Sequence, residues 1–294
     1  MKLLNFGSLN LDVTYLVNHF VRPGETEASI SRMTTCGGKG LNQSIALSKC
    51  GCRVYHAGAL GASDGAPLLQ ALKDAGVNTD YVIQREDVPS GSAFIQVNTE
   101  GENCIVLDGG ANQCVSKEYV DNVLSHFAKG DWLILQNEIS NIPYIIERAH
   151  EIGMIIVLNP SPMNDSVLDM PLGYIDYFLL NEEEAAALSD HADDPISELQ
   201  KRYPDAAIIV TLGSEGSVCV KNGTRTEQPA FPVTAVDTVG AGDTYTGFLI
   251  GSLVQGREID YAMRLASKAS AISVTRKGAS TSIPELGEVL ASLS

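Results

Sequence analysis

The chain has 294 residues, of which 44% are apolar and 19% charged, and its formal net charge is −16. That length and composition suit one soluble core with a small appendage. The acidic balance excludes the basic footprint that nucleic-acid or anionic-membrane binding requires, and no apolar run reaches the roughly eighteen residues of a membrane span.

The N-terminal MKLLNFGSLNLD has one lysine and a short apolar stretch broken by Asp12, so it reads as a first strand, not a secretion signal. A first strand is predicted at Leu3–Gly7, followed by a helix at Leu41–Lys49, a strand at Val54–Leu60 and helices at Ala66–Ala75 and Lys117–Phe127. Then come a strand at Trp132–Gln136, a helix at Ile142–Glu151, strands at Met154–Asn159 and Tyr177–Leu180, a helix at Glu182–Leu188 and a strand at Ala207–Leu212. Two helices close the chain, at Gly242–Val254 and Asp260–Ser273. Strands rich in Val, Ile and Leu between helices predict an α/β fold: a mostly parallel, Rossmann-like central sheet covered on both faces.

Two stretches break this rhythm. Residues 13–35 and 91–108 lack a helical pattern, and Phe94–Val97, Glu100-Gly101 and Cys104–Leu107 read as a hairpin. Together they predict a small β-sheet lid, inserted into a core formed by 1–12, 36–90 and 109–294. An exposed apolar face on such a sheet would serve as a lid or a dimer surface; an irregular edge extension of the main sheet is the alternative. The six cysteines show no C-x-x-C spacing and no paired histidines nearby, which predicts reduced thiols in a cytoplasmic protein and neither a zinc site nor a disulfide framework.

The densest chemical signal is Asp237-Thr238-Val239-Gly240-Ala241-Gly242-Asp243-Thr244, a glycine-rich turn that opens an apolar helix. Helix N-termini present free N–H groups and a positive dipole end, so the turn can cradle an anion. An acid in a first helical turn is also an ordinary cap, and local chemistry leaves capping and catalysis both open. No G-x-x-x-x-G-K-[ST] is present, and no early G-x-G-x-x-G follows the first strand; a P-loop enzyme and a Rossmann dehydrogenase are thereby disfavoured.

Gly37-Gly38-Lys39-Gly40-Leu41-Asn42-Gln43 forms a second glycine-rich turn into a helix and places Lys39 and Asn42 on one turn, able to bind a polyol. Asn10 and Asp12 alternate along an extended segment and point to one side. Asn181 and Glu184 open a helix, where acids also complement the dipole. Thr211, Gly213 and Gly216 follow an apolar strand, where a plain hairpin turn is the competing reading, and Glu138 follows another.

These segments, in this order, resemble the ribokinase-like (PfkB-type) carbohydrate kinase family over essentially the whole chain, and G-G-K-G-x-N-Q is the ribokinase variant of its N-terminal motif. The resemblance implies an ATP-dependent sugar kinase with Asp243 as general base and Gly240, Ala241 and Gly242 as the anion hole. It implies sugar contacts from Asn10, Asp12, Gly38, Lys39, Asn42 and Glu138. Nucleotide contacts would come from Asn181, Glu184, Thr211, Gly213, Gly216, Gly242 and Ser267, with Asn181 and Glu184 organising Mg²⁺. A K⁺ site is implied at Asp237, Val239, Ser273, Arg276, Gly278 and Ser282, and a homodimer through the β lid. With so negative a chain, ATP would have to be held by such local devices. D-ribose phosphorylated at O5 is the leading reaction. The alternatives are another substrate (fructose, deoxyribose or a nucleoside) and a non-catalytic sugar- or nucleotide-binding regulator, which has no use for Asp243 as a base.

Overall fold

The structure is a computed structural model that describes residues 1–293. Its strands are β1 (Leu3–Phe6), β2 (Asn10–Leu16), β3 (Ser31–Gly37), β4 (Val54–Gly61), β5 (Asn78–Arg85), β6 (Gly91–Val97), β7 (Asn103–Asp108), β8 (Trp132–Gln136), β9 (Ile155–Asn159), β10 (Tyr177–Asn181), β11 (Ala207–Thr211), β12 (Ser217–Lys221) and β13 (Thr224–Gln228). Its α-helices are α1 (Lys39–Lys49), α2 (Ala66–Asp74), α3 (Lys117–Leu124), α4 (Ile142–Ile152), α5 (Glu182–Leu188), α6 (Pro195–Arg202), α7 (Ala241–Val254), α8 (Ile259–Ser273) and α9 (Leu286–Ala291).

A nine-stranded sheet runs β13-β12-β11-β10-β9-β8-β1-β4-β5. It is parallel except at β12, which runs antiparallel to both of its neighbours, β11 and β13. Alternate residues of each strand enter different cores, as the pleat requires. Leu3, Ile134, Val157, Leu179 and Ile209 pack with α1, α2, α7, α8 and α9 on one face. Leu4, Leu133, Ile156, Phe178 and Ile208 pack with α3, α4, α5 and α6 on the other. This is the expected three-layer α/β/α arrangement.

The chain leaves β1 for β4 and β5 on one side and returns to β8 on the other. The gap beyond the carboxyl ends of β1 and β8 is therefore the topological switch point, where open parallel sheets leave a crevice for ligands. Ser8 and Glu138 stand at its two lips.

A four-stranded sheet, β3-β2-β6-β7, projects from this end. Hydrogen bonding includes Asn10–Asp12 and Cys36–Gly37 in it, so Asn10 and Asp12 lie on β2 of the small sheet and not at the end of the first strand. Its register puts Asp12, Thr14, Met33, Ile95, Ile105 and Leu107 on one face. Met33, Ile105 and Leu107 are more than half exposed there. No helix among the described residues is long and apolar enough to cross a membrane, and all six cysteines are free.

Candidate active site at the switch point

Helix α1 starts against the crevice because Gly40 allows it. A Cβ there would lie 2.3 Å from the Ser8 backbone nitrogen and 2.5 Å from the Gly7 carbonyl carbon. The contact is fixed by Gly40 N–H donating to Ser8 Oγ at 3.1 Å and Leu41 N–H donating to the Ser8 carbonyl at 3.0 Å. Glu138 ties the lips together: its Oε2 accepts the Lys39 N–H at 2.9 Å and the Ser8 hydroxyl, and its Oε1 lies 3.8 Å from Lys39 Nζ. Much of Glu138's capacity thus goes into holding the two glycine-rich segments in place.

Helix α7 begins after Gly240, whose φ of 75° is left-handed. Among the described residues, the N–H groups of Gly240, Gly242 and Asp243 have no acceptor within the chain, whereas Ala241 N–H donates to the Thr238 carbonyl at 3.2 Å. The turn therefore presents free donors, with Ala241 the most engaged member of the expected anion hole. Asp243 sits in the first turn but caps no backbone group. Its Oδ2 accepts from Asn42 Nδ2 and its Oδ1 from Gln43 Nε2, each at 2.9 Å.

Asp243 is 8% exposed. Burial pushes its carboxyl above the ordinary range, against the lowering pull of Lys39 and the two amides, while Glu138 adds to the rise. Asp12 is pushed up to about 7, first by burial and then by Glu138 and Asp243, with Lys39 opposing. Lys39 is the shared counter-ion: burial works against its charge, yet Asp243, Glu138, Glu184 and Asp12 together hold its pKa above the usual lysine value. Crowding carboxylates around one lysine works against folding. A carboxyl with a raised folded pKa loses relative stability as pH climbs from its unfolded value towards the folded one, for Asp12 between about 4 and about 7.

Asn10 Oδ1 accepts from Asn112 Nδ2 at 2.7 Å, while Asn112 Oδ1 accepts the Leu9 N–H at 3.0 Å. The Asn10 amide orientation is thereby fixed, and its nitrogen has no partner among the described residues.

Two cavities meet at the start of α7. The smaller, about 160 Å³, is lined by Lys39, Asn159, Asn181, Glu184 and Gly240–Asp243. The larger, about 970 Å³, shares Asn181, Thr211, Ala241 and Gly242 with it and continues past Gly213, Gly216, Phe231 and Ser267. Ser267 Oγ is buried with no hydrogen-bond partner, in a wall of this larger cavity. Gly213 and Gly216 lie in a hairpin turn between β11 and β12, so the plain structural reading and the cavity-lining one hold together. Asn181 and Glu184 form a full capping box at 2.8 and 3.0 Å. Glu184 Oε1 and the Asn181 amide nitrogen remain available beyond that cap.

Asp237 bridges the α7 turn to the segment after α8: its Oδ1 accepts the Val239 N–H at 3.0 Å and its Oδ2 the Gly278 N–H at 2.9 Å. Ser273 and Ser282 are buried nearby in sequence, and the Arg276 guanidinium is engaged with Glu288 on α9, leaving only its carbonyl for a cation. No cluster of His, Cys, Asp and Glu suited to a metal is present among the described residues; an oxygen-only set of carbonyls, hydroxyls and one carboxylate fits a hard cation and not zinc.

The sequence reading missed Ser8, Gln43, Asn112, Gln136 and Asn159. Their signal was weak: Gln136 and Asn159 end apolar strands, and Ser8, Gln43 and Asn112 lie in polar turns or helix starts, all but Asn159 buried.

A family pattern described as pfkB family carbohydrate kinase matches residues 1–286. The chain is 34% identical to a ribokinase of Haemophilus influenzae over 97% of this chain and 95% of that one. It is 30% identical to a deoxyribokinase of Salmonella typhi over 97% and 96%. Its structure superposes on ribokinase of Arabidopsis thaliana complexed with ribose and ATP with a TM-score of 0.86, at 30% identity, covering 100% of this chain and 98% of that chain. With a free-donor turn ahead of a buried acid, two joined cavities and these likenesses over nearly every residue, the chain belongs to the pfkB family of carbohydrate kinases and is an ATP-dependent sugar kinase.

Proposed function

We propose that the chain transfers the γ-phosphoryl group of ATP to O5 of D-ribose, with Asp243 as the general base. The observation that supports this most is Asp243 itself. It is a buried carboxylate whose two oxygens each accept one amide proton, which leaves lone pairs on the cavity side for one more proton. Beside it, the free N–H groups of Gly240, Gly242 and Asp243 are placed to stabilise charge on the phosphoryl oxygens.

In this reading Asn10 donates to a sugar oxygen through its free amide nitrogen, while Asp12 and Asn42 bind sugar hydroxyls. Gly38 brings the backbone close, and Lys39 and Glu138 complete the sugar pocket. The primary hydroxyl gives its proton to Asp243 as its oxygen bonds to the γ-phosphorus. The bond from that phosphorus to the bridging oxygen breaks, ADP leaves with the electron pair, and Asp243 later releases the proton to solvent. Thr211, Gly213, Gly216 and Ser267 line the purine and ribosyl end. Asn181 and Glu184 would hold Mg²⁺ through its waters, and that ion supplies neutralisation of the phosphates. Asp237, with Val239, Ser273, Arg276, Gly278 and Ser282, would hold K⁺ and fix the α7 turn.

The small sheet closes over the sugar, and a homodimer through its apolar face would bury Met33, Ile105 and Leu107. The unpaired cysteines agree with a reducing cytoplasm.

The test is a coupled assay of the purified protein with ATP and Mg²⁺ across ribose, 2-deoxyribose, fructose and nucleosides. The highest kcat/KM is expected on ribose. Best turnover on deoxyribose, the activity of the Salmonella relative, or on a nucleoside would overturn the substrate assignment.

A further inference from the structure

We propose that Gln43 and Gln136 are positioning residues for the phosphoryl transfer: a buried amide chain starting at Asn5 dictates that Asp243 meets donors and stays an acceptor. The inference rests on Asp243 being the base.

The chain's polarity is set at its far ends by groups that can only accept. Asn5 Nδ2 donates to the Gly40 carbonyl at 2.7 Å and to Ser44 Oγ at 2.8 Å. Ser44 Oγ also lies 2.8 Å from His56 Nδ1. Asn5 Oδ1 must then face Gln136, whose Nε2 donates to it at 2.9 Å. The same nitrogen donates to Gln43 Oε1 at 2.7 Å. Gln43 is thereby left with its nitrogen towards Asp243 Oδ1 and towards Asn159 Oδ1, the latter at 3.1 Å. Asn159 is locked independently, because its Nδ2 donates to the Leu179 carbonyl at 3.0 Å.

Flipping the Gln43 amide would set its oxygen against two acceptors, and flipping Gln136 would set its oxygen against two more. Asn5, Gln43, Ser44, His56 and Gln136 are all buried, so no solvent repairs a wrong orientation. The strands and helix that supply them, β1, β4, β8 and α1, are the elements that build the switch point. Fold and base orientation are thus one hydrogen-bonded unit.

The charged and titratable groups facing Asp243 from the packed elements are Lys39 on α1, Glu138 after β8 and Asp12 on β2. Burial drives His56, at the end of the chain, down to about 3, so it stays neutral through any assay range. Donors to a carboxylate favour its charged form; removing one raises its pKa. A base must be ionised to act, so the acidic limb of the kcat–pH profile moves to higher pH.

Three variants test this. Gln43→Met removes the donor to Oδ1 and is expected to move the acidic limb of kcat up by about one pH unit while the high-pH plateau changes little. Gln136→Glu cannot donate to Gln43 Oε1, so the Gln43 amide turns and presents its oxygen to Asp243. The limb is expected to move the same way although residue 136 never touches Asp243, and Gln136→Met should move it less. A kcat lowered equally at every pH, with the limb unmoved in Gln43→Met, would overturn the proposal. If the buried charge of Gln136→Glu prevents folding, Gln43→Met decides alone. Full turnover in Asp243→Asn would instead sink the base assignment beneath it, so the two failures are distinguishable.

Discussion

Asp243→Asn is expected to lower kcat by at least ~10²-fold, the usual scale for losing a general base, while sugar affinity changes far less. The geometry explains the split. In the proposed pocket Asn10, Asp12, Lys39 and Asn42 contact the sugar, and their frame (Ser8, Glu138, Gly40, Asn112) has no hydrogen bond to Asp243. Asparagine fills the same volume but offers one acceptor where the carboxylate offers two, so Asn42, whose Oδ1 has no partner, must turn its amide, because Gln43 is held by Gln136 and Asn159. That rearrangement is local and should leave the fold standing. Pre-steady-state phosphoryl transfer, together with calorimetric titration of ribose, checks both halves. Turnover within a few-fold of the parent would reject the assignment.

Gly247→Ala is expected to be strongly destabilising even though alanine is the better helix former. Propensity alone would favour alanine inside α7 by ~1 kcal/mol. Against that, a Cβ at position 247 would stand 2.3 Å from Ala46 Cβ and 2.9 Å from both the Ala46 carbonyl carbon and the Leu47 nitrogen. These are atoms of the α1 backbone and the first atom of a short side chain, so no rotamer change relieves the clash and α1 must move away from α7. Overpacking of this kind costs about 3 kcal/mol, and the melting temperature should fall by roughly 6–10 °C. Because α1 bears Asn42 and Gln43 and α7 bears Asp243, kcat should fall as well. Thermal unfolding and steady-state kinetics on the same preparation test the coupling. An unchanged melting temperature would show that the helices do not meet as described.

Much of this was legible in the residues because the central strands are mostly buried and so are rich in Val, Ile and Leu. The range of β8 matches the sequence-based one, and those of β1, β9, β10 and β11 differ from theirs by one residue at one end. The edge was harder: Thr224–Gln228, with the sequence TRTEQ, has no apolar alternation, and its strand exists because β12 supplies the partner. Asn78–Arg85 was passed over for a similar reason. Helix α6 was missed although Asp194 followed by Pro195 is a start signal, with the Asp194 side chain accepting the Ser197 N–H.

Within the site, glycine-rich turns announce themselves because only glycine meets their steric demand. Gln43 and Gln136 do not: Gln43 closes the G-G-K-G-x-N-Q motif without a role assigned to it, Gln136 has no motif, and a buried amide matters only through what it faces. Asn10 and Asp12 were assigned correctly to one side of an extended segment, but that segment begins a different sheet, a crossing that no local pattern in Gly7–Asp12 reveals.

The most direct test of the central claim uses 5-deoxyribose, which keeps the ring hydroxyls of ribose and lacks only O5, the oxygen that the proposal sets against Asp243. It is expected to compete with ribose for binding, with an inhibition constant near the ribose KM, and to form no phosphorylated product with ATP. Detection of a phosphorylated 5-deoxyribose would contradict the account, because the acceptor beside Asp243 would then be a hydroxyl other than O5.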